Sequence, residues 1–174
     1  MNMEIYRSPY EAYPFLCDTP DDLRCDFELL TDEMASRTGL LRARTKDAFL
    51  REELLWVCEL IYHVNPALRT SLKITEKEKE RLLAAVERLR GQCGQRCQRF
   101  VVPQGCEAGC LAHILRVQAK ELVRLVYRHI YQGHSVEPGL VDLINLLSGY
   151  FFYLALRLNA DEGVDEVDFI SRNY

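Results

Sequence analysis

Apolar side chains recur every three or four positions through five successive segments of this 174-residue chain, and hardly any segment is left over for a strand. That spacing puts the apolar side chains on one face of an α-helix, whereas a half-buried strand would place them at every second residue. Pro66 and Gly133 fall between these segments and Gly91 ends the third, as expected of residues that stop helices. We therefore predict an all-α fold, in which five helices joined by mostly short links form an antiparallel bundle.

The boundaries of the predicted elements follow from the apolar pattern and from residues that start or stop helices. We place the helices over residues 27–44, 46–65, 75–91, 110–131 and 137–159, and Thr75 with Glu78 forms a capping box at the start of the third. Residues 100–102 are a short β-prone run. Residues 1–24 hold three of the six prolines and no glycine, which indicates an extended arm. We expect one domain over 1–174: an N-terminal arm over 1–24, a helical bundle over 25–160 and a C-terminal tail over 161–174.

Composition and charge exclude several classes of protein. Apolar residues make up 48% and charged residues 28%, a balance typical of globular domains rather than disordered chains. The net charge of −4 would repel a phosphate backbone, so we expect no nucleic-acid partner. No apolar run approaches the roughly 20 residues that span a bilayer, and the N-terminus lacks the basic-then-apolar layout of a signal peptide. We therefore expect no membrane association and a cytoplasmic location.

Four of the seven cysteines are arranged as two C-x-x-x-C pairs, which leaves three interpretations open. Cys93 with Cys97 and Cys106 with Cys110 could supply four thiolates to zinc or iron if the fold brought them together. Four-cysteine zinc sites usually have two residues between paired ligands, however, so the spacing favours inert thiols over a metal site or a redox-active pair. A disulfide framework is disfavoured, because the count is odd and the cytosol is reducing.

The predicted fourth helix carries a basic stripe. His113, Arg116, Lys120 and Arg124 follow one another at spacings of three and four, so they share one helix face. Such a stripe is either solvent-exposed or directed at a polyphosphate. Asn145 and Ser148 on the fifth helix are polar positions in an apolar segment, which indicates either a satisfied core contact or a ligand contact. Acidic residues crowd the segment around positions 18–33, whereas basic residues dominate later. This asymmetry suits contacts between subunits, a basic pocket for an anionic ligand, or simply two solvent-exposed faces.

Three stretches resemble motifs of the PduO-type ATP:cob(I)alamin adenosyltransferases. Residues 31–39, TDEMASRTG, resemble the family's T-D-E-L-x-S-x-I-G helix start, and residues 100–105, FVVPQG, resemble its F-I-L-P-x-G loop. Residues 144–155, INLLSGYFFYLA, resemble L-N-R-L-S-D-Y-L-F-x-L-A, and the likeness runs in order from 27 to 159. The resemblance implies a five-helix homotrimer that binds its substrates between neighbouring subunits. It also implies transfer of the 5′-deoxyadenosyl group of ATP to cob(I)alamin, with release of triphosphate.

The same resemblance implies roles for individual residues. Phe100 would press against the lower face of the corrin ring, and Asp32 would pair with Arg116 across the subunit interface. Arg116 and Lys120 would hold the triphosphate of ATP, with Mg²⁺ accompanying the nucleotide. The implied cofactor-binding set is completed by the three remaining polar positions on the last two helices, Arg124, Asn145 and Ser148.

The chain departs from the family pattern at the nucleotide. The family's N-terminal T-x-T-G-D-x-G loop has no counterpart, because the first glycine of this chain is Gly39. Lys120 stands where an arginine is usual, Val123 where a glutamate is, and Gly149 where an aspartate is. The ethanolamine-utilisation type of adenosyltransferase also lacks the loop and the aspartate. Two hypotheses remain: an active adenosyltransferase, which we favour, with a modified arm that uses Arg7 and Ser8, or a non-catalytic corrinoid-binding or scaffold relative.

Overall fold

The computed structural model describes residues 5–173, and it confirms the five predicted helices. They are α1 (Leu23–Arg44), α2 (Ala48–Val64), α3 (Glu76–Cys93), α4 (Glu107–Tyr131) and α5 (Pro138–Asp161), with one short 3₁₀ turn, Gly94–Cys97, after α3. In this part of the chain the β-structure is limited to a single bridge between Val101 and Asp168, and Val101 lies within the predicted β-prone run.

Side-chain caps explain where four of the five helices begin. Asp47 accepts a hydrogen bond from the backbone N–H of Leu50, and the predicted capping box at Thr75 is present. α1 begins four residues earlier than predicted because Asp22 caps it. α4 begins three residues earlier because the Cys106 sulfur accepts from the N–H of Gly109 at 3.3 Å.

The helices pack into an up-and-down bundle with α4 and α5 side by side at its centre. α1 lies against α4, α3 lies against α5, and α2 packs on α1. Arg44 at the end of α1 pairs with Glu107 at the start of α4, so these two helices run in opposite directions. Each helix contributes fully buried side chains to one core, represented by Phe27, Leu54, Leu89, Leu115 and Phe151. Burying a side chain of this size stabilises the fold by about 1.5–3 kcal/mol.

α5 is long and apolar enough, by length and composition, to cross a membrane, which differs from the expectation that no stretch of the chain would be. More than half of its most apolar window, 56%, is buried inside the bundle. Leu147, Tyr150 and Leu154 on this helix are 1% exposed or less. The apolar character of α5 is therefore that of a central core helix.

The N-terminal arm is folded into turns rather than extended. Turns and bends recur from residue 9 to residue 21, and residues 13–18 contact the bundle. Arg69, just after α2, donates to Glu28 of α1 at 2.7 Å and to Asp18 of the arm at 3.0 Å. The Tyr13 hydroxyl also donates to Glu28, and the Arg69 guanidinium lies 3.5 Å from the ring centre of Phe15. These contacts fasten the arm to the bundle.

The C-terminal segment, residues 162–173, is also docked. It lies beside the loop that precedes α4, where the N–H of Val102 donates to Val167 at 2.8 Å and the N–H of Phe169 donates to Phe100 at 2.7 Å. The Arg96 side chain adds contacts to the Val164 carbonyl and to the Glu166 carboxylate. The segment therefore forms one side of the surface that surrounds Phe100.

Candidate functional site

A cavity of about 960 Å³ opens between the loop before α4, the middle of α4 and α5, and the C-terminal segment. Its size falls within the range of sites for small molecules and cofactors. Apolar and aromatic side chains form one part of its wall: Phe100, Val101, Phe152, Tyr153, Phe169 and Ile170. Polar side chains form another part: His113, Arg116, Lys120 and Ser148.

The aromatic wall is unusually open to solvent. Phe100 is 84% exposed and Phe169 is 54% exposed, although the protein has a well-filled core for apolar groups elsewhere. An exposed apolar cluster of this kind on one face of a cavity marks a binding surface more often than a packing defect. The shape and chemistry of this wall suit a broad, flat and largely apolar ligand.

The polar wall contains groups that lack hydrogen-bond partners within the described chain. His113 is 4% exposed and neither ring nitrogen is hydrogen-bonded; the Nε of Arg116 is likewise buried without a partner. Burial and the neighbouring Arg116 lower the pKa of His113 to about 4, and burial lowers the pKa of Arg116. The imidazole is thus neutral at pH 7, because burial favours the uncharged form.

The lowered pKa of His113 predicts a specific loss of stability in acid. Between its ordinary value of 6.5 and about 4, the unfolded chain binds a proton at His113 that the folded chain does not. Stability therefore falls as the pH falls through this window. Thermal unfolding should give a lower unfolding temperature at pH 5 than at pH 7 for the wild type. The difference between the two temperatures should be smaller in His113→Leu. An equal drop in both proteins would contradict this prediction.

The basic stripe on α4 is unpaired. The stripe continues beyond Arg116, Lys120 and Arg124 to Arg128, at intervals of four residues. Within residues 5–173, no carboxylate lies within ion-pair distance of any of these four cations. Arginines on other helices do find partners, as Arg157 does with Asp161 at 2.8 Å. A row of unpaired cations leading out of a cavity favours an anionic ligand over simple solvent exposure.

The predicted site residues divide into two groups. Phe100, Arg116, Lys120 and Ser148 line the same cavity, and the Ser148 hydroxyl donates to the Arg116 carbonyl at 3.2 Å. Asp32, Arg124 and Asn145 are exposed and do not line the cavity. Arg124 continues the stripe one turn beyond Lys120. Asn145 lies one turn before Ser148, and its amide nitrogen donates to Val141.

Asp32 is not paired with Arg116 within the described chain. Its carboxylate accepts a hydrogen bond from the Tyr62 hydroxyl at 2.6 Å, which raises the pKa of Tyr62. The neighbouring Glu33 borders a second depression of about 550 Å³ between α1 and α4. His113 and Arg116 line both hollows, and Gln118 in the second one is 5% exposed with its Oε1 unpartnered.

The cysteines do not form the metal site that their spacing left open. Within residues 5–173 no three His, Cys, Asp or Glu side chains come together in a way that could hold a metal ion. The thiols have local roles instead: Cys106 caps α4, and Cys97 donates to the Gly94 carbonyl. Burial raises the pKa of Cys93 and of Cys97, which favours the protonated thiol over the thiolate.

The aromatic wall includes residues that sequence reasoning did not assign to a site. Phe152 and Tyr153 belong to the aromatic run YFFY at residues 150–153. The sequence shows this run but does not indicate which of its side chains line a cavity. Phe169 and Ile170 lie in a tail without periodicity, and their position depends on pairing with the loop around Phe100.

Comparison with known proteins identifies the family to which this architecture belongs. A family model described as cobalamin adenosyltransferase matches residues 21–158, which is most of the chain. The chain belongs to the cobalamin adenosyltransferase family. It is 25% identical over 158 residues to the corrinoid adenosyltransferase of Bacillus subtilis (strain 168), and the match covers 86% of this chain and 81% of that protein.

Solved structures of cobalamin adenosyltransferases share this fold. A phenylalanine-to-alanine variant of the PduO-type ATP:corrinoid adenosyltransferase from Lactobacillus reuteri, complexed with cobalamin and ATP, superposes with a TM-score of 0.76 at 19% identity, covering 86% of this chain and 87% of that one. An arginine-to-lysine variant of the same enzyme, complexed with ATP, gives a TM-score of 0.74 at 21% identity, covering 86% and 88%. At these identities the likeness establishes the five-helix fold.

Proposed function

We propose that this protein is a corrinoid adenosyltransferase that transfers the 5′-deoxyadenosyl group of ATP to cob(I)alamin and releases triphosphate. The observation that carries this proposal is a cavity whose aromatic wall, with exposed Phe100, meets an unpaired row of cations on α4. A corrin ring is broad and flat and suits the aromatic wall, whereas a triphosphate needs the cations. We also propose a cytoplasmic location, a compartment in which ATP is available.

Phe100 is the residue we assign to the lower face of the corrin. An apolar ring there would exclude water and the axial base, which makes reduction of the cobalt to Co(I) easier because a lower metal charge needs less ligation. The electron pair of Co(I) then forms the bond to the 5′ carbon. The bond from that carbon to the phosphate oxygen breaks, and triphosphate leaves with its electron pair.

Arg116, Lys120 and Arg124 are the residues we assign to the triphosphate. Lys120 supplies charge without the two-pronged geometry of an arginine, so it acts here as a point charge. Asn145 and Ser148, on the facing helix, are assigned to the nucleotide side of the site. Mg²⁺ would be held chiefly by the triphosphate oxygens, because the described residues offer no cluster of three metal-ligating side chains.

A titration of purified protein with ATP and cob(II)alamin, followed by absorbance, tests this function. We expect the spectrum of bound cob(II)alamin to change when ATP is present, as the lower ligand is lost, and adenosylcobalamin to form once a reductant is added. Corrinoid binding without either change would support the non-catalytic alternative. No corrinoid binding at all would exclude the adenosyltransferase and the corrinoid-binding relative, and would leave only a scaffold.

We further propose that the active form is a homotrimer in which Asp32 of one subunit pairs with Arg116 of the next. Support comes from the α1–α4 depression, whose borders carry the buried unpartnered atoms of His113, Arg116 and Gln118. Buried polar groups normally find partners, and a second copy could supply them.

Sedimentation at micromolar concentration should give a trimer. Asp32→Asn should raise the dissociation constant of the trimer by at least about tenfold, because it leaves the other member of a desolvated interfacial pair without its partner. Glu52→Gln, which neutralises an exposed carboxylate on α2, serves as the control. A stable wild-type monomer would remove the interface from the proposal.

A further inference from the structure

Asn159, near the end of α5, is a buried polar side chain that is hydrogen-bonded to two other parts of the chain. It is 0% exposed. Its Oδ1 accepts from the backbone N–H of Cys106 at 3.0 Å, and its Nδ2 donates to the Gln104 carbonyl at 3.1 Å. The same Nδ2 lies 3.3 Å from both carboxylate oxygens of Glu166. One amide on α5 thus connects this helix to the loop before α4 and to the C-terminal segment.

Two glycines make room for this amide. A Cβ at Gly105, whose φ is +143°, would lie 2.0 Å from Oδ1 of Asn159, and a Cβ at Gly109 would lie 2.3 Å from the same atom. No side chain fits at such distances, and the φ of Gly105 is one that other residues rarely adopt. The Asn159 side chain can therefore approach the loop this closely only because both positions are glycine.

The two segments held by Asn159 carry Phe100 and Phe169 into the cavity. Beyond the amide they pair with each other through the backbone bonds Val102 to Val167, 2.8 Å, and Phe169 to Phe100, 2.7 Å. Glu166 is fixed a second time by Arg96. Phe100 itself is 84% exposed, so side-chain packing does little to hold it in place. Its position depends on the backbone of the loop.

We infer that Asn159 is a positioning residue, which clamps the Phe100 loop to the C-terminal segment and thereby sets where the Phe100 ring meets the ligand. The catalytic consequence rests on the proposed function; the clamp itself does not. The amide is required because it accepts from one backbone group and donates to another, which neither a carboxylate nor an apolar side chain can do. A carboxylate would also face the Gln104 carbonyl and the Glu166 carboxylate.

Asn159→Asp is the sharpest test, since it keeps the shape and removes the donor. Hydrogen exchange should show the amides of Val102 and Phe169 exchanging at least about tenfold faster than in the wild type. Cob(II)alamin affinity should change little, whereas the fraction that shows the ATP-dependent spectral change should fall by at least about tenfold. In Asn159→Asp with Glu166→Gln, both effects should be partly reversed, because the new amide donates to the carboxylate.

Leu140→Ala, near the other end of α5, controls for a general loss of stability. This buried leucine is far from the loop, so its removal should leave the spectral change intact. Unchanged exchange in Asn159→Asp would overturn the clamp. Faster exchange with a wild-type spectral change would overturn the positioning of Phe100. If the wild type binds no corrinoid, the proposed function fails, and the exchange data still decide whether Asn159 clamps the two segments.

Discussion

Replacing Phe100 by alanine should lower the rate of adenosyl transfer on the order of a hundredfold, with a much smaller effect on corrinoid affinity. The ring is mostly exposed, so its loss costs little stability, and the remaining aromatic wall still binds the corrin. Water or the axial base could then return to the lower face of the cobalt and oppose its reduction. The kcat, the KM for corrinoid and the ATP-dependent cob(II)alamin spectrum are the quantities to measure.

Tyr131→Ala provides a matched control for the Phe100 variant. Tyr131 is 87% exposed at the end of α4 and does not line the cavity, so its truncation should leave all three quantities unchanged. If Phe100→Ala shows the spectral change as strongly as the wild type does, Phe100 is not the residue that removes the lower ligand. Membership of the family would be unaffected by that result.

Arg69→Ala should destabilise the protein by about 3 kcal/mol, because it leaves the Glu28 carboxylate buried without its cation. Glu28 is 4% exposed, and Arg69 is its only ion-pair partner within residues 5–173. The substitution also removes the contact with Asp18 and the stacking on Phe15, both in the arm. Urea unfolding measures the loss, and proteolysis of the arm should become faster.

A surface ion pair gives the comparison. Arg90 pairs with Glu87 on the outside of α3, where both side chains are more than half exposed, so Arg90→Ala should cost at most about 0.5 kcal/mol. Adding Glu28→Gln to Arg69→Ala should recover part of the loss, because the uncompensated charge is gone. Equal destabilisation by Arg69→Ala and Arg90→Ala would contradict the role given to the buried pair.

The fold could be predicted from sequence because its helices are amphipathic and local signals mark most of their ends. The capping box at Thr75 is such a signal. The starts of α1 and α4 were missed for physical reasons: Asp22 is one of several neighbouring acidic residues that could cap, and cysteine, which caps α4 at position 106, rarely serves this purpose. In both cases the apolar pattern located the helix but did not determine its first residue.

The candidate site could be predicted only in part. The stripe on α4 is a property of helical spacing, and the resemblance to a family supplied Phe100. The turns of the arm and the position of the tail depend on partners far away in sequence, such as Arg69 for Asp18 and Phe100 for Phe169, which no local pattern encodes. Asp32 pairing with Arg116 stays a prediction, because it requires a second subunit.

The docking of the C-terminal segment also bears on the order in which the molecule assembles. Arg96 and Val164, which hold this segment against the loop, are 68 positions apart, so their contact requires closure of a long stretch of chain. Helices form from neighbouring residues and much sooner. We therefore expect the cavity to be completed late in folding, and to open while the bundle stays intact, since few buried apolar groups seal it. A molecule with a full complement of helices can therefore still lack a finished binding site.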